Sequence, residues 1–242
     1  MRIEIEKRPR LTKSQCRVIE RGPLAKSIVA EGVGAALLLA TVVGSGIMGE
    51  RLAGGSVALA LLANTVATGA VLTTLVLIFG AISGAHFNPA VTLSALAQGQ
   101  LNRRETLSYL AAQLAGSCAG VIIANVMFGE GLVSFSRHAR SGGRQIFSEF
   151  VATFGLVLVI ILCARLRPRM VAFAVGGYIT AAYWFTASTS FANPAVTIAR
   201  SLSDTFAGIR PVDVPWFIVA QLIGAAAATL LATWLVKEQR ND

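Results

Sequence analysis

The chain has 242 residues, 55% of them hydrophobic and only 14% charged, with a formal net charge of +9. A soluble domain carries roughly 25% charged residues, so this composition excludes an ordinary water-soluble globule. The basic surplus does not form a nucleic-acid footprint, because it sorts with membrane topology.

The first 26 residues are basic and hold no apolar stretch of their own. They show no cleavable signal, so the first span itself is expected to target the chain to the membrane. Residues 1–23 read as a solvated cytoplasmic tail, with anionic lipid headgroups as the alternative contact. Six apolar stretches follow: 27–49, 52–85, 106–128, 145–164, 170–199 and 214–236. Each approaches or exceeds the roughly 20 residues that a helix needs to cross the hydrocarbon core. Their only acidic residues are Glu31 and Glu149. An even number of spans puts both termini on one side. With that side cytoplasmic, the inner segments hold 15 of the 21 Lys and Arg residues and the outer segments 6. The positive-inside rule favours this orientation.

The chain also repeats itself. Glu31 and Glu149 each sit near the start of a span, 118 residues apart. Asn88-Pro89-Ala90-Val91-Thr92 returns 105 residues later as Asn193-Pro194-Ala195-Val196-Thr197. Gln113-Leu114 returns 108 residues later as Gln221-Leu222. Each copy holds three spans, an odd number, so the second copy enters the membrane from the opposite face. The expected fold is an all-α membrane protein with six transmembrane helices, two half-membrane re-entrant helices and an inverted 3+3 repeat. The repeats occupy 24–128 and 145–236, joined by an outer loop at 129–144 and closed by a short tail at 237–242.

The Asn-Pro-Ala segments open short apolar stretches, 88–99 and 193–203. At about 10 to 12 residues, or roughly 15–18 Å of helix, each covers half the membrane core. Asn is a strong N-cap and Pro suits the first helical position. Asn88 and Asn193 therefore cap the half-helices with their side-chain oxygens and present N–H donors to a pore at the midplane. Pro89, Ala90, Pro194 and Ala195 form the first turns beside them. The positive ends of both helix dipoles converge there, which repels cations.

The approach loops must be non-helical at membrane depth, where such backbone survives only beside a water-filled cavity or buried in protein. Gly84, Ala85, His86, Ser188 and Thr189 are expected to supply a ladder of carbonyl acceptors. A carboxylate inside a span is expensive unless bonded, so Glu31 and Glu149 are assigned to brace the loops. Gln113 and Gln221 join helices as polar contacts. His86 has two readings, a loop residue bonded to backbone and a pH-sensitive gate. Cys118 and Cys163 read as small packing residues. No metal site, cofactor, nucleophile–base pair or nucleic-acid partner is expected. An ion-coupled transporter is the rival class, and it would need titratable groups exposed along the pathway.

On His86-Phe87-Asn88-Pro89-Ala90-Val91-Thr92, the second Asn-Pro-Ala and the preceding glutamates, the chain resembles the aquaporin or major intrinsic protein family over residues 24–236. The resemblance implies a right-handed bundle with one pore per monomer, a homotetramer, and passage of small neutral solutes across a lipid membrane. The family usually places Arg directly after the second Asn-Pro-Ala, where this chain has Val196. Counted back from the motifs without gaps, the other positions of the family's narrow ring fall on Thr68, Ala181 and Ser190. A ring of these four residues is wide and lacks a fixed cation. Arg200 lies four residues beyond Val196; it either compensates for the missing Arg or, as its register favours, faces the outer interface or a phosphate. With Thr68, Val196 and the run Gly44-Ser45-Gly46-Ile47-Met48-Gly49, the chain is most similar to the bacterial arsenic-operon aquaporins. That similarity implies a bacterial plasma-membrane channel for arsenite as its neutral trihydroxide, methylated arsenicals, glycerol and water. A plain water and glycerol channel with a relaxed ring is the nearest alternative.

Overall fold

The computed structural model describes residues 23–236. The predicted terminal tails, Pro23 apart, lie outside the described residues. Regular structure within them is entirely helical: α1 (Leu24–Leu52), α2 (Val57–Ser83), α3 (Pro89–Ala97), α4 (Arg103–Phe128), α5 (Gly143–Leu166), α6 (Val171–Phe185), α7 (Pro194–Arg200) and α8 (Val214–Leu235), with short 3-10 turns at Pro168–Met170 and Pro211–Asp213.

Capping chemistry sets several of these boundaries. Asn102 and Glu105 form a reciprocal capping box at the start of α4, with bonds of 2.8 and 2.9 Å. Ser56 caps α2 by accepting from the Leu59 N–H. Gly84 and Gly129 end α2 and α4 with φ of 90° and 72°, a left-handed conformation that costs glycine little.

Among the described residues, five helical segments are long and apolar enough to cross a membrane: α1, α2, α4, α5 and Pro211–Leu235. The sixth predicted span, 170–199, resolves into three parts: α6, a loop, and most of α7. At 15 residues, α6 is about 22 Å long, short of a core about 30 Å thick. The half-helices are also shorter than expected, 9 residues in α3 and 7 in α7. Gly99, at φ 70°, turns the chain just after α3, and the Gln100 N–H closes on the Ala95 carbonyl at 2.9 Å. Composition alone cannot place these breaks, because helix, loop and half-helix are equally apolar here.

The helices pack through small residues. A Cβ on Gly116 of α4 would stand 2.1 Å from the Gly32 carbonyl oxygen of α1, and one on Gly120 would stand 2.2 Å from that of Ala36. In the second repeat, a Cβ on Gly224 of α8 would stand 2.5 Å from the Phe150 carbonyl oxygen of α5. Such backbone approach is how membrane helices gain packing energy when lipid removes the hydrophobic drive between them. Outward faces stay apolar: Val29, Leu62, Val126, Phe147, Ile223 and Leu230 are all exposed. An apolar surface of this extent is suited to lipid rather than water. The helix directions give the inverted repeat its geometry. From one midplane junction, α3 runs toward the face where α1 begins and α8 ends, and α7 runs toward the opposite face.

Candidate functional site: a cavity between two capped half-helices

The site begins with strained backbone. Ala85 and Phe87 adopt φ of 51° and 48°, and Ser190 and Ala192 adopt φ of 51° and 48°. These pairs are related by the same 105-residue offset as the Asn-Pro-Ala motifs. Thr189 joins them at 61°. Left-handed backbone costs a non-glycine residue roughly 1–3 kcal/mol and persists only where surroundings enforce it. The loops gain something specific by it: consecutive N–H groups turn toward one carboxylate.

Glu31 is fully buried and fills its two oxygens with four donors. It accepts from Ser83 Oγ at 2.6 Å, the His86 N–H at 2.9 Å, the Phe87 N–H at 2.7 Å and Gln113 Nε2 at 2.7 Å. Glu149, equally buried, accepts from Ser188 Oγ at 2.6 Å, the Phe191 and Ala192 N–H groups at 2.9 Å each and Gln221 Nε2 at 2.6 Å. Gln113 also donates to Thr92 Oγ1 at 2.8 Å, and Gln221 to Thr197 Oγ1 at 2.9 Å. Charge-assisted bonds of this kind are worth about 1.5–3 kcal/mol each, enough to offset the loop strain. Gly34 clears the space for one loop, since a Cβ there would collide with the Phe87 ring.

Each Asn caps its own half-helix. Asn88 Oδ1 accepts from the Ala90 N–H at 2.9 Å, and Asn193 Oδ1 from the Ala195 N–H at 3.0 Å. The amide nitrogens then cross over. Asn88 Nδ2 donates to the Ala192 carbonyl and Asn193 Nδ2 to the Phe87 carbonyl, both at 2.8 Å. Sequence reading expects both Asn amides to point into the pore. One N–H of each instead ties the two loops together, which leaves each amide a second N–H.

Both Asn residues line a cavity of about 530 Å³. It opens among exposed Gln100, Arg165 and Arg169 on the face where α1 begins, passes Gly84, Ala85 and His86, and reaches the Asn pair. Beyond the midplane it continues to Thr68, Tyr183, Ser190, Val196 and Arg200, where its lining ends. His86 is partly buried, with Nδ1 3.1 Å from Thr92 Oγ1 and its ring edge-on to Tyr109. Thr68, Ser190, Val196, Gly84, Ala85 and His86 thus line the cavity. Pro89, Ala90, Pro194 and Ala195 form the first helical turns behind the Asn pair, without reaching the cavity.

Four expectations need correction. Ala181 is exposed on the outward face of α6 and does not line the cavity. Tyr183 lines it instead, and its hydroxyl donates to Thr68 Oγ1 at 3.3 Å, joining α6 to α2. The ungapped count failed because the loop between α6 and Asn193 has its own length. Ser188 and Thr189 lie outside the cavity; the Ser188 carbonyl accepts from Arg140 Nη1 at 3.3 Å rather than facing a solute. Arg200, expected at the interface, is 2% exposed and lines the cavity.

Arg140 gave no signal in the sequence beyond its charge. Its Nε donates to the Gly208 carbonyl at 2.7 Å, and its backbone N–H to Asp213 Oδ2 at 2.8 Å. Burial pushes its pKa down to about 10. It fastens the 201–213 segment to the α6–α7 loop. Burial, with Arg140 and Arg200 nearby, also lowers the pKa of neighbouring His138.

Two short helices meeting head to head inside a six-helix bundle, each capped by Asn and braced by a buried Glu, define a membrane channel. The chain belongs to the major intrinsic protein family, whose family model matches residues 19–169 and 164–242. This is a family of channels rather than enzymes. The chain is 52% identical over 217 residues to the aquaglyceroporin AqpS of Rhizobium meliloti, covering 90% of this chain and 93% of that protein. It is 33% identical over 174 residues to a probable aquaporin, AqpM, of Archaeoglobus fulgidus, covering 66% and 70%. In fold it is similar to the X-ray structure of the aquaglyceroporin from Plasmodium falciparum, with a TM-score of 0.68 at 18% identity, covering 86% of this chain and 95% of that one.

Proposed function

We propose that the protein is a passive channel for small uncharged solutes, carrying glycerol and water and also arsenite trihydroxide and methylated arsenicals. The observation that carries this reading is the cavity between the Asn pair and Val196. At the position next to the second Asn-Pro-Ala it is lined by a small apolar side chain in place of a guanidinium. Arsenite trihydroxide is neutral at physiological pH and presents three hydroxyls, as glycerol does. Amide donors at Asn88 and Asn193, hydroxyls at Thr68 and Ser190, and the loop carbonyls of Gly84, Ala85 and His86 suit such a solute, and apolar walls at Leu38, Val42 and Val157 suit a carbon skeleton.

The filter in this reading consists of Thr68, Ser190 and Val196, with Tyr183 in place of Ala181. No carboxylate lines the cavity among the described residues, which supports a channel over an ion-coupled transporter. The open end of the cavity faces the cytoplasm of a bacterial plasma membrane, on the positive-inside count. Four copies assemble side by side, each with its own pore, an arrangement suited to the apolar outward faces of α1, α2, α5 and α8.

Stopped-flow light scattering on purified protein in liposomes tests the reading. Fast entry of glycerol and arsenite, without dependence on an ion gradient, is the expected result. Water flux alone would sink the arsenical part and leave the narrower water channel.

A further inference from the structure

The family's usual fixed cation is absent from position 196, yet the cavity does not end without one. Val196 and Arg200 are four residues apart on α7 and so lie on one face, about 6 Å apart along the axis. Both line the cavity, with Arg200 farther from the Asn pair. The guanidinium is positioned on two sides. Its Nε donates to the Ala207 carbonyl, and its Cζ lies 3.4 Å from the Phe191 ring centre. No carboxylate pairs with it among the described residues. Its terminal nitrogens bond to nothing there and are not sealed from the cavity. Thr68 and Tyr183, joined by their hydroxyls, stand at the same end of the cavity.

We propose that Arg200 holds the charge filter of this channel, displaced one helical turn outward from the usual position, with Thr68 and Tyr183 completing a ring that reads solute oxygens. Physically, a buried guanidinium with no carboxylate in direct contact raises the energy of any cation that approaches it. Its two free nitrogens offer donors to hydroxyls or oxyacids. Moving it outward leaves the segment at Val196 wide while the entry stays selective. Phe191 makes this possible, because its ring provides a face for a charge that lacks a carboxylate. The inference rests on the channel reading and does not depend on whether arsenicals pass.

The test compares wild type, Arg200→Gln, Arg200→Lys and the double variant Val196→Arg/Arg200→Gln in liposomes at equal incorporation. Sodium and proton leak are read by a potential-sensitive dye and an internal pH dye, and glycerol and water entry by light scattering. Arg200→Gln is expected to raise cation leak at least about tenfold, the effect of roughly 1.4 kcal/mol of lost barrier. The double variant is expected to return the leak to the wild-type level. Arg200→Lys keeps a charge but loses the planar fork, so leak should stay low while the ratio of glycerol to water entry falls. If Arg200→Gln inserts normally and leaks no more than wild type, Arg200 only anchors the 201–209 segment and the proposal falls. If Arg200→Gln does not insert, the lysine variant decides: an unchanged glycerol-to-water ratio overturns the proposal. A wild-type protein that passes neither water nor glycerol would sink the channel reading itself, a result distinguishable from all of these.

Discussion

The two pre-helix loops are bonded almost atom for atom alike, and the half-helices that follow them are not. Glu31 and Glu149 each receive a serine hydroxyl, two consecutive backbone N–H groups and a glutamine amide. Beyond the motifs, the 105-residue offset pairs Val91 with Val196, His86 with Phe191 and Ala95 with Arg200. The first half thus has a small residue and an imidazole where the second has a guanidinium lying on an aromatic ring. The difference separates two tasks. Holding irregular backbone inside a membrane has the same solution from either face. In the proposed reading a solute is chosen at one end only, and the cavity lining runs from Gln100 past Ala95 to Arg200.

The largest expected effects test the shared scaffold. Gly116→Val and Gly224→Val each drive a side chain into a carbonyl oxygen of the neighbouring helix, closer than 3 Å already at Cβ. Backbone cannot yield as a flexible side chain does, so each change should cost about 3 kcal/mol or more and abolish the monodisperse peak in fluorescence-detected size exclusion. Loss in one repeat only would mean that the helix pairs α1–α4 and α5–α8 are not equivalent in strength. Glu31→Gln and Glu149→Gln come next. Each places an amide NH2 where donors converge and orphans at least one, at roughly 1–3 kcal/mol. Similar drops in thermal stability are expected for the two; a difference much beyond 1 kcal/mol would break the equivalence.

Charge at the matched valines sharpens the contrast. Val196→Arg should cut glycerol and arsenite entry about tenfold, roughly 1.4 kcal/mol of added barrier, and water entry less. Val91→Arg, at the corresponding place on α3, faces the wide end and should cut the same fluxes far less. Equal inhibition by both would mean that the narrow point is not where Thr68, Tyr183 and Val196 meet.

Much of the symmetric part was legible in the sequence. The doubled Asn-Pro-Ala, the two span glutamates and the matched glutamines are rare in apolar surroundings, where each polar group must have a partner. The asymmetric part was not legible. Ala181 looks correctly placed until the length of the loop that follows α6 is known, and Tyr183 then takes its place. Arg200 reads as an interfacial charge unless Phe191 is seen beneath it. Arg140 lies far from the motif in sequence and reaches the site only because the 129–142 loop folds inward. The cross-loop amide bonds, Asn88 to Ala192 and Asn193 to Phe87, were hidden for a related reason: they join residues more than 100 positions apart.

The smallest expected effect concerns the surface beyond the Arg200 end of the cavity. Asp204 accepts from the Arg137 backbone N–H at 2.8 Å and from its Nε at 2.7 Å. Those bonds hold the Asp204 carboxyl below its usual range. A depressed folded-state pKa means that its contribution to stability is present above the unfolded value and is lost as pH falls through the lowered one. The 201–209 segment, which carries the Ala207 carbonyl that anchors Arg200, should therefore loosen only in acid. Asp204→Asn should lower stability slightly at neutral pH and flatten its decline toward acid, measured by thermal unfolding in detergent across pH 3 to 7. The same shallow decline in wild type and variant would mean that the exposed Arg137–Asp204 pair contributes nothing to holding that segment. In that case, Arg140, with its bonds to Gly208 and Asp213, holds it together with the Ser134 and Ser136 N–H groups, which donate to the Leu202 and Ser201 carbonyls.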